Sequence, residues 1–269
     1  MDDLSGKVAV VTGAASGIGL ALCERLAAQG MHLVMADVQA DRLDSAAQSL
    51  RRPSSSTILT AVTDVRRFED VERLAETAWE RFGGADVLCN NAGVALMGAT
   101  WRFELSEWRW ILDVNLWGVI HGVRAFVPRM IDRGAPAHVV NTASISGLIG
   151  FPTLAPYTAS KAAVVGLSES LLRDLRGRNV PIDVSVICPG PVATNLQDNS
   201  FALQPLDTRP KRVLEEDPDE IPPHVVAELA VGAILEPRFW VVPHRGYEPA
   251  LRDRLDAIAG GGEPAPAAR

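Results

Sequence analysis

The sequence predicts an α/β protein, a doubly wound, seven-stranded parallel sheet with helices on both faces. Three observations carry this. Short apolar runs alternate with stretches of helical period along most of the chain, the pattern of parallel strands joined by crossover helices. The first apolar run leads directly into a glycine-rich turn. The polar residues that punctuate the apolar segments fall at the carboxyl ends of predicted strands or on the helices that follow, where open α/β sheets gather ligands.

Residues 7–12, Lys-Val-Ala-Val-Val-Thr, form the first strand by length and β-branching. They enter Gly13-Ala14-Ala15-Ser16-Gly17-Ile18-Gly19, and a helix over 20–29 follows, stopped by Gly30. Strand, glycine turn and helix N-terminus together place backbone N–H groups against a pyrophosphate, as in a Rossmann-type fold. The spacing here is Gly-x-x-x-Gly-x-Gly. The second strand, 32–36, ends at Asp37, about 20 residues past the glycines, where an acid accepts from the adenosine ribose hydroxyls. A carboxylate there repels a 2′-phosphate, and the neighbouring slots that often carry a phosphate-binding base hold Ser16 and Val38. This favours NAD over NADP. Arg42 is the counter-argument, read here as solvated on the following helix.

A helix over 39–52 ends at Pro53 and a serine cluster. A third strand, 57–63, brings Asp64-Val65 to its carboxyl end. An amphipathic helix over 67–82 closes at Gly83-Gly84. A fourth strand, 86–89, opens into Asn90-Asn91-Ala92-Gly93, whose small residues let a backbone pass close to a cofactor. One long helix is expected over 106–133, with Asn115 in its apolar middle, a costly place for an amide without partners. The fifth strand, 138–142, delivers Ser144. The sixth, 183–187, is followed by Cys188-Pro189-Gly190-Pro191-Val192-Ala193-Thr194. The polar, proline-rich stretch 195–223 reads as an irregular lid or binding loop. A helix over 224–235, a seventh strand over 239–242 and a helix over 249–259 complete one catalytic domain, 1–259. The Gly/Ala/Pro-rich tail, 260–269, is expected to be disordered.

Between the fifth and sixth strands stands Tyr157-Thr158-Ala159-Ser160-Lys161, leading a helix whose apolar residues run on to Leu175. Positions i and i+4 share a helix face, so the phenol and the ammonium lie one turn apart. A phenol with pKa near 10 is a poor acid or base at neutral pH. A cation about 4 Å away, at an effective dielectric near 20, favours phenolate by roughly 4 kcal/mol, or about 3 pKa units. That shift brings a tyrosine into the range of general acid–base catalysis.

Composition excludes several classes. A net charge of −7, from 26 basic and 33 acidic residues, leaves no basic footprint for nucleic acid. No run of 18 or more apolar residues exists to span a membrane. The acidic start, Met1-Asp2-Asp3-Leu4, lacks the layout of a signal peptide, and a cytoplasmic protein is expected. Cys23, Cys89 and Cys188 are scattered and read as buried, reduced thiols, and the five histidines show no ligand spacing, so no metal site is expected.

In this order, the motifs from Thr12 to Gly19, Asp64-Val65, Asn90 to Gly93, Asn115, Ser144, Tyr157 with Lys161, and Pro189-Gly190 with Thr194 resemble the single-domain short-chain dehydrogenase/reductase family over residues 4–245. The resemblance implies a catalytic tetrad of Asn115, Ser144, Tyr157 and Lys161. It implies that Asp64 and Val65 meet the adenine and that Asn91, Ala92 and Gly93 line the cofactor. Pro189, Gly190, Val192 and Thr194 would hold the nicotinamide end. Hydride would pass between NAD(H) and an alcohol or ketone carbon, with Tyr157 as acid or base, Lys161 also binding the nicotinamide ribose, Ser144 on the substrate oxygen and Asn115 holding a water. Val94, Leu96, Leu148, Phe151 and Pro191, with Ser144 and Tyr157, are the substrate-facing candidates. Their apolar character points to a hydrophobic secondary alcohol or ketone, steroid-like or aryl.

After the seventh strand the family commonly carries an Asp-Gly-Gly-type turn that helps build a tetramer. Here Val242-Pro243-His244-Arg245-Gly246-Tyr247 stands instead, which leaves a homodimer open beside a homotetramer. The Asn115 and Tyr157 helices are the expected interface. Trp101, Trp108, Trp110 and Trp117 read as core and interface packing. The other class of function, a non-catalytic NAD-sensing regulator on the same fold, would be expected to lose Tyr, Lys or Ser, and all three are present. An epimerase or dehydratase of the extended branch would need a larger C-terminal region.

Overall fold

Side chains alternate between two helical layers along each strand, and the sequence alternates with them. In β1 (Val8–Thr12), Ala9 and Val11 enter one core while Val8 and Val10 enter the other. Leu33 and Met35 of β2 (His32–Asp37) join the first core, Val34 and Ala36 the second. Strands buried on both faces read as continuous apolar runs, which is why the sequence shows runs and no polar alternation. The computed structural model describes residues 1, 3–50, 56–204 and 219–264.

The remaining strands are β3 (Ile58–Val62), β4 (Val87–Asn90), β5 (Ala137–Thr142), β6 (Ile182–Ile187) and β7 (Trp240–Val241). All pair in parallel in the order β3-β2-β1-β4-β5-β6-β7. The order reverses between β1 and β4, so the crevice at their carboxyl ends is where a ligand belongs. The register aligns those ends, with Thr12 beside Ala36, Asn90 beside Asn141 and Thr142 beside Ile187.

Helices α1 (Gly17–Ala28) and α8 (Pro223–Leu235) pack together over the first core. Helix α2 (Ala40–Leu50) also faces it through Leu43, Ala46 and Ala47. The second core is covered by α3 (Phe68–Phe82), α5 (Gly118–Arg133) and α6 (Ala155–Gly177). Each fully buried Leu or Phe there, such as Leu74 or Phe126, contributes about 1.5–3 kcal/mol.

Four expectations need correction. The helix over 106–133 is not uniform: α4 (Leu105–Leu112) and α5 are joined by one wide π-type turn, Asp113–Trp117. Asn115 turns inward there with no exposed surface, and such turns concentrate at functional positions. The stretch 195–223 is not wholly irregular, because it begins with α7 (Leu196–Leu203), held by Phe201 and Leu203 against the cluster of Val94, Leu96, Phe103 and Trp110. Residues 205–218 of that stretch lie outside the described residues, and Pro223 already belongs to α8. The seventh strand keeps only two of its four expected residues. The last helix forms as expected, as α9 (Glu248–Gly260), with none of its residues buried. Of the tail expected to be disordered, 260 belongs to α9 and 265–269 lie outside the described residues; so do 51–55, the expected end of α2.

All three cysteines are buried and unpaired. Among the described residues no helix is long and apolar enough to cross a membrane, and no group of His, Cys, Asp and Glu is arranged to hold a metal.

Candidate active site

Thr12 closes β1 and organises the turn that follows. Its hydroxyl donates to Cys89 O and accepts from the N–H groups of Asn91 and Ala92, at 2.9 and 3.2 Å. Asn91 Nδ2 returns a bond to Thr12 O at 3.1 Å, and Asn91 Oδ1 accepts from Thr142. The ends of β1, β4 and β5 are thereby tied together. Gly13 sits in this knot at φ +67, where a Cβ would stand 2.9 Å from Ala92 Cα. A Cβ on Gly19 would fall 2.0 Å from Gly13 O, so its role is to let α1 approach the turn.

The first turn of α1 carries no acidic side chain, and the Ser16 hydroxyl does not cap it. Its N–H groups and the positive end of the helix dipole therefore remain for an anion. Beyond β2, Asp37 accepts from Ala15 N–H at 3.1 Å and from Gln39 N–H at 3.0 Å. Backbone donors from both the glycine turn and the start of α2 hold its carboxylate between them. Asp64 is gripped by Arg66, whose guanidinium holds the Asp64 carboxyl below the usual carboxylate range. Arg42, expected in solvent, instead donates to Gln39 and to Asn199 of α7, and Asn199 Nδ2 donates to Ser16 Oγ at 3.1 Å. Helix α7 therefore bridges the glycine turn and α2 on one side. On the other, Ser200 Oγ accepts from Ala95 N–H at 2.9 Å.

At the far end, Ser144 leaves β5 and its hydroxyl donates to Pro189 O while accepting from Ser146 N–H. Tyr157 and Lys161 occupy the first turns of α6. Lys161 is 3% exposed and donates to Thr142 O at 2.8 Å; its ammonium lies 5.7 Å from the Tyr157 ring centroid. Burial lowers the Lys161 ammonium to about 8. Burial also pushes the Tyr157 phenol above its ordinary value, against a downward pull from a hydrogen bond with Ser144. The expectation that Lys161 lowers the phenol is thus not met in net direction. Burial of the phenol outweighs any help from the cation, which is itself desolvated and gives a hydrogen bond to a carbonyl.

Asn115 lies behind this wall. Its Nδ2 donates to Val94 O at 2.9 Å and Ser160 Oγ at 3.0 Å, and its Oδ1 accepts from Val94 N–H at 2.8 Å. Both amide hydrogens are committed, so a water at Asn115 would be held through an oxygen.

One cavity of about 770 Å³ runs from Asp37 to Tyr157. Gly13, Ser16, Gly17, Ile18, Asp37, Asp64, Val65, Asn91, Ala92, Gly93, Lys161, Pro189, Gly190, Val192 and Thr194 line it, with Val94, Ser144, Phe151, Tyr157 and Pro191. Four predicted residues do not. Gly19 and Asn115 stand behind the wall, Leu96 is 1% exposed among Phe103, Trp110 and Ile111, and Leu148 packs towards Val164. Leu96 and Leu148 lie in irregular segments, where no period tells inward from outward. Conversely, Met97, Trp110 and Tyr247 line the cavity, though none was predicted there. Trp110 and Val114 are one turn apart on the helix that delivers Asn115, and that spacing could have placed both. Trp101 is 85% exposed, so it belongs to no core.

The long cavity, the crowded glycine cradle and the unopposed α1 N-terminus fit a dinucleotide with its pyrophosphate at Gly17 and Ile18. Comparison with known proteins agrees. Residues 7–204 match the short chain dehydrogenase family. A 1-deoxy-11-beta-hydroxypentalenate dehydrogenase of Streptomyces avermitilis is 44% identical over 257 residues, covering 95% of this chain and 91% of the relative. An NADP-dependent (R)-specific alcohol dehydrogenase of Lentilactobacillus kefiri is 36% identical, covering 74% and 78%. A short chain dehydrogenase/reductase of Burkholderia phymatum, solved in complex with NAD, superposes with TM-score 0.93 at 35% identity over the full length of both chains.

Proposed function

The chain belongs to the short-chain dehydrogenase/reductase family and is an oxidoreductase, and from that premise we propose that it transfers hydride between NAD(H) and a hydrophobic secondary alcohol or its ketone, with Tyr157 as acid–base group. The observation that carries this is the meeting of Ser144, Tyr157 and Lys161 on one wall of a cavity whose other end is Asp37. Bound nicotinamide supplies the acceptor or donor of hydride at the carbinol carbon.

In oxidation Tyr157 takes the hydroxyl proton as hydride leaves the carbon; in reduction it returns that proton to the carbonyl oxygen. The raised phenol favours the protonated form, so Tyr157 stands ready as the acid for ketone reduction near neutral pH. Ser144 is positioned by Ser146 N–H, and its single proton, given to Pro189 O in the free site, turns to the substrate oxygen as charge develops there. Lys161, anchored on Thr142, holds the nicotinamide ribose. Asn115 acts through position: it fixes Val94 on the cavity wall and Ser160 beneath Tyr157. Asp37 makes NAD the preferred cofactor. Trp110, Phe151, Pro191 and Leu203 make the substrate end apolar, which selects a hydrophobic substrate.

The test is a panel of bulky and small secondary alcohols and ketones, each with NAD(H) and NADP(H), read at the nicotinamide absorbance. Turnover of apolar members with NAD(H) supports the reading. Cofactor binding with no turnover across the panel overturns it in favour of a non-catalytic, NAD-sensing role.

A further inference from the structure

The stretch 243–247, where the sequence departs from the family pattern, packs directly beneath the Pro189–Pro191 segment. We propose that His244 is a positioning residue that clamps this segment and so sets the nicotinamide end of the cofactor site. The inference rests on the reading above, because Gly190, Pro191 and Val192 are taken as the nicotinamide-facing wall.

Pro-Gly-Pro has a single backbone N–H, that of Gly190. It donates to His244 Nδ1 at 2.9 Å, and His244 Nε2 lies 2.9 Å from Pro191 O. Since Nδ1 accepts, the ring proton is on Nε2 and is given to Pro191 O. One neutral imidazole thus satisfies a donor and an acceptor of adjacent residues at once. His244 is 7% exposed, so water does not replace either bond without opening the site.

The rest of the segment is held from other sides. Pro189 O accepts from Ile145 N–H at 2.8 Å and from Ser144 Oγ at 3.2 Å, and Pro191 O also accepts from Ile221 N–H at 3.1 Å. Moving Pro189 therefore moves the hydroxyl of Ser144. The fit is close: a Cβ on Gly190 would stand 2.9 Å from the Tyr247 ring and 3.0 Å from His244 Cγ. Tyr247 continues into the cavity and meets Phe151 edge-on, with centroids 6.0 Å apart. The departing C-terminal stretch thus supplies both a clamp and part of the substrate wall.

The experiment titrates NADH and ADP-ribose, which lacks nicotinamide, into the full chain and its variants, with thermal melts to confirm folding. His244→Leu keeps a buried body against Gly190 and Tyr247 but removes both hydrogen bonds. It should weaken NADH roughly tenfold, the loss of one to two modest hydrogen bonds, and leave ADP-ribose unchanged. His244→Gln, whose amide both accepts and donates, should recover most of that loss. Should His244→Leu fail to fold, His244→Phe, which keeps a ring at this place without either hydrogen bond, must show the same loss confined to NADH. Unchanged NADH affinity, or an equal loss for both ligands, overturns the clamp while leaving the proposed function standing. A parent protein that binds neither ligand defeats both.

Discussion

The Lys161 ammonium lies 5.7 Å from the centroid of the Tyr157 ring, and its hydrogen bond goes to Thr142 O, not to the phenol. The two catalytic candidates therefore share a buried wall without sharing a direct bond. Tyr157 is held in the protonated form by burial, and Lys161 is the nearby reserve of positive charge. In the proposed mechanism acid–base work falls on the phenol alone. Tyr157→Phe removes one oxygen from a half-buried ring and should lower turnover by about 10²-fold or more, with NADH affinity within about twofold of the parent. A variant retaining more than about a tenth of the rate would remove Tyr157 from that role.

Lys161 carries a cost that pH can reveal. Its folded value of about 8 lies below the ordinary 10.5, so the folded state disfavours the charge. The cost is complete below about pH 8, declines as pH rises and is gone by 10.5, since the unfolded chain binds the extra proton only in that window. It amounts to about 3 kcal/mol at neutral pH. Lys161→Met removes the charge but leaves Thr142 O without its donor, which costs about 1–3 kcal/mol. The variant should be inactive yet no less stable than the parent at pH 7, and should lose ground relative to it between pH 8 and 10.5. A stability difference that stays flat across that window contradicts the assignment.

His138 should make the molecule acid-sensitive for a structural reason. It is 1% exposed in β5, and burial drives its imidazole down to about 3. Ser185 gives its proton to Arg238 O and so accepts from His138 Nε2. The unfolded imidazole takes a proton near pH 6.5 and the folded one does not, so stability falls as pH drops from 6.5 towards 3. His138→Gln, which can still donate to Ser185, should be less stable at pH 7 but should show a shallower loss between pH 6.5 and 4. Equal slopes in chemical denaturation across that range would count against it.

What the sequence made legible follows from period. The long helices have one, the strands show as unbroken apolar runs, and Thr12, Asp37, Asn91 and Ser144 sit where those runs stop. Helical spacing puts Tyr157 and Lys161 on one face, and the motifs in the rest of the chain give that spacing its meaning. Residues without a period were misplaced, such as Leu96 and Leu148, or missed, such as Met97 and Tyr247. Helix α7 hid in a proline-rich stretch because it is short and depends on contacts with Val94 and Trp110, which are far away in sequence. The wide turn at Asn115 has no composition of its own, and it reflects where the amide must reach.

Asp37 should govern the choice of cofactor. Its two oxygens already accept from Ala15 and Gln39 N–H groups, which fix the carboxylate at the carboxyl end of β2 on the cavity wall. There it can accept from both ribose hydroxyls of NAD but faces the phosphate dianion of NADP. Val38 is 44% exposed beside it, so a longer side chain at that position can extend without displacing core. Asp37→Ala removes the repulsion, and Val38→Arg adds a planar fork suited to phosphate. Specificity is a difference between two affinities, so both changes are needed for a full switch. Each should move the ratio of kcat/KM for NADP over NAD upward by about tenfold or more, a change of about 1.4 kcal/mol per step. Arg42 sharpens the test. It donates to Asn199 and Gln39, both of which line the cavity, so Arg42→Ala in the double variant should reduce NADP use and spare NAD. A parent enzyme that already prefers NADP would show that Asp37 does not face the ribose, and Arg42 or another base would then be the candidate for the phosphate.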